Sequence, residues 1–96
     1  MVLVTHVATR GRNGFDQWVE SFQLRTSSDT HAQVFQFLRH NNGDVMTFSA
    51  NSDRDTTVFA SLPADTCARS IRLFPVAYRA WKSMRWEVYG CSVGEE

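Results

Sequence analysis

Apolar and polar residues alternate with a period of two along much of the chain. The pattern is clearest over residues 84–88 and recurs over residues 22–25 and 71–73. It predicts half-buried antiparallel strands, because successive side chains of a strand point to opposite faces of a sheet. Trp86, in the middle of the first of these runs, is therefore expected in the core together with its two apolar neighbours in the pattern.

Further strands and the turns between them follow from residue types. Residues 34–38 and 45–48 are rich in β-branched and aromatic side chains, which favour strands. Asn42 and Gly43 lie between these two runs and predict a hairpin. Several short strands separated by turns predict an all-β sandwich or barrel. Residues 76–83 are the one stretch that could form a helix, and they are too few for a firm helix prediction.

Length, charge and hydropathy restrict the class of protein. The chain has 96 residues, enough for one small domain, with 43% hydrophobic and 21% charged residues, as in a globular protein. Ten basic and ten acidic residues give no net charge, so no nucleic-acid partner is predicted. The apolar run at residues 1–4 is shorter than the ~7–15 residues of a signal-peptide core.

No residue pattern indicates catalysis, a cofactor or a metal. His6, His31 and His40 are scattered without the spacing of metal ligands, and neither a G-x-S-x-G motif nor a phosphate-binding loop is present. Oxygen side chains at spacing two over residues 51–55 resemble a calcium loop only in part. Since the glycine and the distal glutamate of such a loop are absent, a turn whose carboxylates pair with Arg54, Arg69 or Arg72 is the preferred interpretation.

Three segments in fixed order carry a family resemblance. They are TRGRNGFDQWVESFQL at residues 9–24, NSDRDTTV at residues 51–58, and ARSIRLFP with SMRWEVYGC between residue 68 and Cys91. Together they resemble the discoidin domain, also called the coagulation factor 5/8 type C domain, with a particular likeness to slime-mould discoidin lectins. The resemblance implies an antiparallel jelly-roll β-sandwich of the galactose-binding-domain-like kind.

The resemblance corresponds only to the later two-thirds of that domain. The predicted organisation is a partial discoidin-type domain over residues 4–91, incomplete at its N-terminus, followed by a tail over residues 92–96. Composition leaves Cys67 and Cys91 open to a mutual disulfide or to two free thiols. The resemblance implies that the partner of Cys91 lies near the start of the family's domain, so that Cys91 is unpaired and Cys67 is a small core residue.

Discoidin-type domains bind ligands through loops at one end of the sandwich, and the resemblance implies the same here. The loop over residues 13–16 corresponds to one projecting loop, and residues after Pro75 lie at the same end. The predicted ligand-binding residues are Arg10, Arg12, Asn13, Phe15, Asp16, Tyr78, Arg79 and Trp81.

Several of these side chains have two interpretations. Phe15 could stack on a sugar or enter a lipid interface, or it could fold back on Trp18. Arg10 and Arg12 could bind ligand oxygens or form surface pairs with neighbouring carboxylates. Arg85 could point to the ligand end or pair with a carboxylate.

The predicted function is a non-catalytic, adhesion-type binding module that recognises carbohydrate or another cell-surface ligand, with a glycan or glycoprotein as partner. One alternative is binding to anionic phospholipid. Another is a truncated structural fragment without binding of its own, marginally stable, and dependent on oligomerisation or on strands supplied from elsewhere. The expected location is extracellular or at the cell surface within a larger protein, or cytosolic if the chain is lectin-like.

Overall fold

A computed structural model describes residues 1–29, 31, 33–64 and 66–92, and these residues form strands and no helix. Accordingly, no helix in this part of the chain is long and apolar enough to cross a membrane. The strands, in chain order, are β1 (Val2–Arg10), β2 (Trp18–Ser27), β3 (Gln36–Phe37), β4 (Phe48–Ser49), β5 (Val58–Ser61), β6 (Cys67–Ala68), β7 (Ser70–Arg79) and β8 (Arg85–Ser92). The predicted all-β class is confirmed.

The strands form two antiparallel sheets, each organised around one long strand. In the first sheet β8 pairs with β1 along nearly its whole length, so β5 and β6 share the other edge of β1. In the second sheet β7 pairs with β2 from end to end, and β3 and β4 share the other edge of β2. β7 and β8 therefore pair on one side only within the described residues.

The core lies between the two sheets and is built from the inward residues of β1 and β2. Val7, Val19, Phe22 and Leu24 are fully buried, and the Phe22 ring stacks on Phe48 with centroids 5.4 Å apart. Burying one such side chain stabilises the fold by about 1.5–3 kcal/mol. These contacts confirm the predicted antiparallel sandwich.

A bulge in β1 explains why its burial pattern departs from strict alternation. The register with β8 shifts between Val4 and His6, so the extra residue turns both Val4 and Val7 towards the core. After the bulge the alternation resumes, with Ala8 and Arg10 on the outer face and Thr9 on the inner face.

The prediction that Trp86 is a core residue is wrong, although its face was correctly assigned. Trp86 pairs with the buried Thr9, next to Val88, which pairs with the core residue Val7. Its side chain nevertheless remains 40% exposed. β8 has no described neighbour on its second edge, so the inner face at its first residues opens into a surface groove instead of being covered.

The prediction that Cys67 is a small core residue is also wrong, because alternation places its neighbours inside instead. Thr66 and Ala68 are buried, and Cys67 between them is exposed. Cys91 is likewise exposed, and both thiols are free. Leu3 of β1 pairs with Cys67 of β6 on one side and with Cys91 of β8 on the other.

The predicted hairpin at Asn42 and Gly43 is confirmed. Arg39 and Val45 form an antiparallel bridge, the Gly43 amide donates to the His40 carbonyl over 2.9 Å, and Gly43 takes a φ of 95°, which favours glycine. The flanking strands are shorter than predicted, since only the two-residue strands β3 and β4 form on either side of the hairpin, each paired with β2. The possible helix over residues 76–83 is a strand as far as residue 79.

Candidate functional site

Three segments meet at one end of the sandwich: the β1–β2 connection, the turn over residues 51–56 and the start of β8. Gly11 lies where they touch. A Cβ at this position would be 2.6 Å from the Cα of Arg54 and 2.8 Å from the carbonyl oxygen of Gln17. Only glycine permits this approach, which sets the β1–β2 connection directly against the turn.

Arg85, the first residue of β8, links these segments through backbone carbonyls. Its Nε donates to the Gly11 carbonyl over 2.7 Å, and its Nη2 donates to the Arg54 carbonyl over 3.0 Å. The same Nη2 lies 3.6 Å from a carboxylate oxygen of Asp55. Of the two interpretations of Arg85, the structure favours a structural role with a carboxylate partner.

The loop between β1 and β2 is a compact turn that presents Phe15. The Phe15 amide donates to the Arg12 carbonyl over 3.3 Å, and Gly14 supplies the positive φ of 80° that such a turn takes at its third residue. The Phe15 ring is 51% exposed. The Arg12 guanidinium carbon lies 3.9 Å from the centroid of that ring, which covers one face and leaves the other available.

Polar contacts at the base of this loop hold Arg12 in place. Its Nη1 donates to Oε1 of Gln17 over 3.1 Å, and the Ser83 hydroxyl donates to the same oxygen, also over 3.1 Å. The Arg12 amide donates to the Gln17 carbonyl over 2.8 Å. Hydrogen bonds therefore fix the base of the loop that carries Phe15.

The turn over residues 51–56 is held from inside by Asn51 and from outside by Asp53. The buried Asn51 amide nitrogen donates to the carbonyls of Thr9 and Thr56 over 3.0 and 2.7 Å. The exposed Asp53 carboxylate accepts the Thr56 amide, the Thr56 hydroxyl and the Asp55 amide. Hydrogen bonds from Thr56, which have the larger effect, and from the Asp55 amide lower the pKa of Asp53 below its ordinary value.

Asp53 and Asp55 thus serve the turn itself. Asp55 lies 3.6 Å from Arg54, one of the arginines predicted to pair with this turn, and also 3.6 Å from Arg85. Within residues 1–29, 31, 33–64 and 66–92, no three potential ligands cluster closely enough to hold a metal ion.

The second predicted loop lies beyond β7 and carries exposed aromatic residues. Tyr78 and Trp81 are 46% and 60% exposed. Ala80 takes a φ of 64°, a left-handed conformation that is uncommon for residues with a Cβ. The Arg79 guanidinium lies 5.7 Å from the ring of Trp18. Asp16 forms an exposed ion pair with Arg54 at 3.6 Å.

Six of the eight predicted residues divide among three separate grooves. Arg12 and Asn13 line one open groove of about 590 Å³ with residues 82–86. Asp16, Tyr78 and Arg79 line a second groove of about 690 Å³. Arg10 belongs to neither: its Nε donates to the Asp55 carbonyl over 2.8 Å, and it lines a third groove on the outer face of the first sheet.

Sequence reasoning missed several residues that build the first groove. Lys82, Ser83 and Met84 line it together with Arg12 and Trp86. Ser83 gave no signal, since a serine between strands is ordinary turn chemistry. Lys82 could have been noticed as a charge directly ahead of an alternating strand.

Comparison with known proteins identifies the family. The family model described as "F5/8 type C domain" matches residues 2–88. The chain belongs to the F5/8 type C domain family. Discoidin-2 of Dictyostelium discoideum is similar, with 36% identity over 87 residues, which cover 91% of this chain and 32% of that protein. Mouse (Mus musculus) retinoschisin is 27% identical over 90 residues, which cover 94% of this chain and 40% of that protein.

Solved structures of F5/8 type C domains agree with this assignment. The native structure of recombinant discoidin II of Dictyostelium discoideum superposes with a TM-score of 0.81 at 32% identity, covering 97% of this chain and 34% of that one. The wild-type structure of the same lectin gives a TM-score of 0.77 at 33% identity with the same coverage. The fold is therefore the galactose-binding-like β-sandwich.

The chain thus spans 32% and 40% of the lengths of these two relatives. The discoidin-type relatives support a non-catalytic, ligand-binding module of the adhesion type. The ligand and the residues that contact it are specific to each member of such a family, because function depends on the site and not on the fold.

Proposed function

We propose that this F5/8 type C domain is an adhesion-type module, extracellular or at the cell surface, that binds carbohydrate through the β1–β2 loop. The observation that carries the proposal is the Phe15 ring, half exposed at the tip of the loop with Arg12 stacked on its inner side. The membership of the family supports this assignment.

The chemistry of the loop suits a sugar. The uncovered face of an aromatic ring packs against the C–H face of a pyranose, and the adjacent side chains offer both donors and acceptors for hydroxyl groups. Asn13 and Lys82 line the same groove as Arg12 and supply such groups. A second wall of the binding site is used only if the ligand is an oligosaccharide that extends across the Asp16 side of the loop. This wall consists of Tyr78, Arg79 and Trp81.

The loop is built to bind without rearranging. Gly11 and the carbonyl contacts of Arg85 fix its base, and Gln17 fixes the Arg12 side chain. Preorganisation of this kind lowers the entropy cost of binding. The groove is open and shallow, so binding to a single sugar is expected to be weak and to depend on several copies acting together.

A glycan array probed with a multivalent form of the chain tests the proposal. Phe15→Ala should reduce binding to the recognised glycans by about tenfold, because an aromatic contact is worth about 0.5–1.5 kcal/mol beyond its buried area. Val34→Ala is a matched control, since Val34 is also exposed but lies before β3. Equal binding by wild type and Phe15→Ala would exclude Phe15 from the site.

Binding to anionic phospholipid is a second candidate, favoured by the cations around the exposed aromatic residues. Arg12 and Lys82 lie in the same groove beside Phe15, an arrangement suited to a headgroup with the ring in the lipid interface. Co-sedimentation with vesicles containing phosphatidylserine, decreasing as salt rises, would support this candidate. Binding to neither glycans nor vesicles would support the truncated-fragment alternative instead.

A further inference from the structure

The outer face of the first sheet carries a groove that the loop proposal does not use. Its floor is Ala8, which pairs with Phe59 on one side and Glu87 on the other. Ala8 is only 6% exposed even though it lies on the outer face. Larger side chains from the neighbouring strands therefore rise around it.

Tyr89 lines this groove and contacts a second exposed aromatic residue, Phe59. The rings of Phe59 and Tyr89 meet with centroids 5.9 Å apart, and both side chains remain largely exposed, at 60% and 43%. Single exposed aromatic residues are ordinary on protein surfaces, but two in contact beside a concavity form a built surface. The concavity measures about 320 Å³, at the lower end of the range for small-ligand sites.

The opposite end of the groove is polar and balanced in charge. Arg10 and Arg85 lie directly across from each other in the register, an arrangement of like charges that is unfavourable by itself. Asp55 offsets it: its carbonyl accepts from Arg10 over 2.8 Å, and its carboxylate lies 3.6 Å from Arg85. Glu87, on the groove wall, supplies a second negative charge.

Hydrogen-bonding capacity is left over at this end. Among the described residues, the Glu87 carboxylate has only the Tyr89 hydroxyl as a donor, at 3.4 Å, and it forms no ion pair. The terminal nitrogens of Arg10 have no acceptor there, because only its Nε is bonded. The groove thus offers free donors beside free acceptors, with two positive and two negative charges. A neutral ligand rich in hydroxyl groups fits this balance better than an anion does.

We propose that this groove is a second saccharide site, which holds one neutral pyranose on the sheet face. The Tyr89 ring packs against the C–H face of the sugar. Glu87 accepts hydrogen bonds from its hydroxyls, and Arg10 donates to their oxygens. The site does not include Phe15, so it can be tested independently of the proposed site in the β1–β2 loop.

Titration of the isotope-labelled chain by NMR tests the second site. The probes are the methyl glycosides of glucose, galactose and mannose, with galacturonic acid as the charged comparison, each up to about 50 mM, where even weak sites begin to fill. At least one neutral glycoside should give saturable shifts at the amides of Ala8, Glu87 and Tyr89, and galacturonic acid should bind less tightly.

Variants separate this site from the loop. Tyr89→Ala should weaken binding at the sheet face by about fivefold or more, and Phe15→Ala should leave it unchanged. Glu87→Gln keeps the shape of the side chain and should weaken binding about threefold by removing a charge-assisted acceptor. If Tyr89→Ala loses the dispersed NMR spectrum of a folded chain, the Glu87→Gln variant still tests the sheet-face site.

Three outcomes would overturn the second site. They are the absence of saturable shifts with every neutral glycoside, shifts confined to residues 12–17 and 78–81, and unchanged sheet-face binding in Glu87→Gln. Failure of the loop site alone would look different, since only the shifts at residues 12–17 would be missing.

Discussion

Gly11 and Asn51 join β1 to the turn over residues 51–56 by two kinds of contact. Gly11 permits backbone to lie against backbone, and the buried Asn51 side chain donates to the carbonyls of Thr9 and Thr56. Gly11 makes this contact because it is small, and Asn51 makes it because it is polar, and both lie in a packed region. The expected effects of replacing them are therefore large and specific.

Replacing Gly11 with alanine should lower the free energy of unfolding by about 1–3 kcal/mol, the usual cost of forcing an extra group into packed structure. The added Cβ would meet the backbone of Arg54, which cannot move aside as a flexible side chain could. Urea unfolding measures the effect. Gly14→Asn is the matched control, because Gly14 has open space around it and asparagine tolerates its positive φ; an equal loss in both variants would argue against the steric explanation.

Asn51→Asp should be strongly destabilising at neutral pH, by about 2–4 kcal/mol, because carboxylate oxygens would face the carbonyls of Thr9 and Thr56. Stability should recover in part in acid, where the protonated group can donate to one carbonyl. Thermal unfolding followed across pH measures both effects. Asn13→Asp, in the exposed β1–β2 turn, should change stability by less than about 0.5 kcal/mol.

At the scale of elements, β8 shows that alternation predicts the face on which a residue lies but not how exposed that residue is. Its inward residues were assigned correctly from the period of two, since Trp86 and Val88 pair with buried residues of β1. The exposure of Trp86 could not be predicted, because it depends on which strand lies alongside β8. Periodicity reports the face of a residue and contains no information on neighbours distant in sequence.

The turn over residues 51–56 should make stability depend on pH. Hydrogen bonds from Thr56 and Asp55 lower the pKa of Asp53 in the folded chain, so its ionised form stabilises the fold above the unfolded pKa. This contribution should be lost as pH falls through the folded pKa, in the region below about pH 4. The urea midpoint should therefore decrease less steeply with acidification in Asp53→Asn than in wild type.

The Thr56 hydroxyl provides the control for this titration. Thr56→Ser keeps the hydroxyl that donates to Asp53 over 2.7 Å, and Thr56→Val removes it. The pH dependence should weaken in the valine variant and persist in the serine variant. Asp29 contributes to the same slope, since the Gln33 and His31 amides lower its pKa. Identical slopes for wild type and Asp53→Asn would show that the turn is not a source of the pH dependence.

At the scale of the whole molecule, the three ordered sequence segments predicted more of the fold than the alternation of apolar and polar residues did. The ordered segments identified the family and hence the sandwich, and the turn residues located the connections. The site was harder, because Arg10 and Arg12 are two positions apart in sequence yet face different grooves. The sheet-face groove had no signal at all, since Ala8, Glu87 and Tyr89 come together only through the register of β1 and β8.

The open edges of both sheets predict self-association of the 96-residue chain. β7 and β8 pair on one side only within the described residues, and Val76 on β7 is 52% exposed. Unpaired edges with exposed apolar side chains favour strand addition. Light scattering should increase with protein concentration, and Val76→Lys should reduce it. Phe15→Lys is the matched control, since Phe15 is 51% exposed and lies in a loop outside both sheets. A sharp melt of a monomer, independent of concentration, would contradict the prediction.

The carbonyl contacts of Arg85 have a dynamic consequence. One guanidinium bonds to two separate connections, at Gly11 and at Arg54, so neither can open without breaking a contact that also holds the other. Amide hydrogen exchange should therefore show residues 11–17 and 52–56 exchanging as one cooperative unit with a common opening free energy. In Arg85→Lys, which cannot reach both carbonyls with a fixed fork of donors, the two segments should exchange at separate rates.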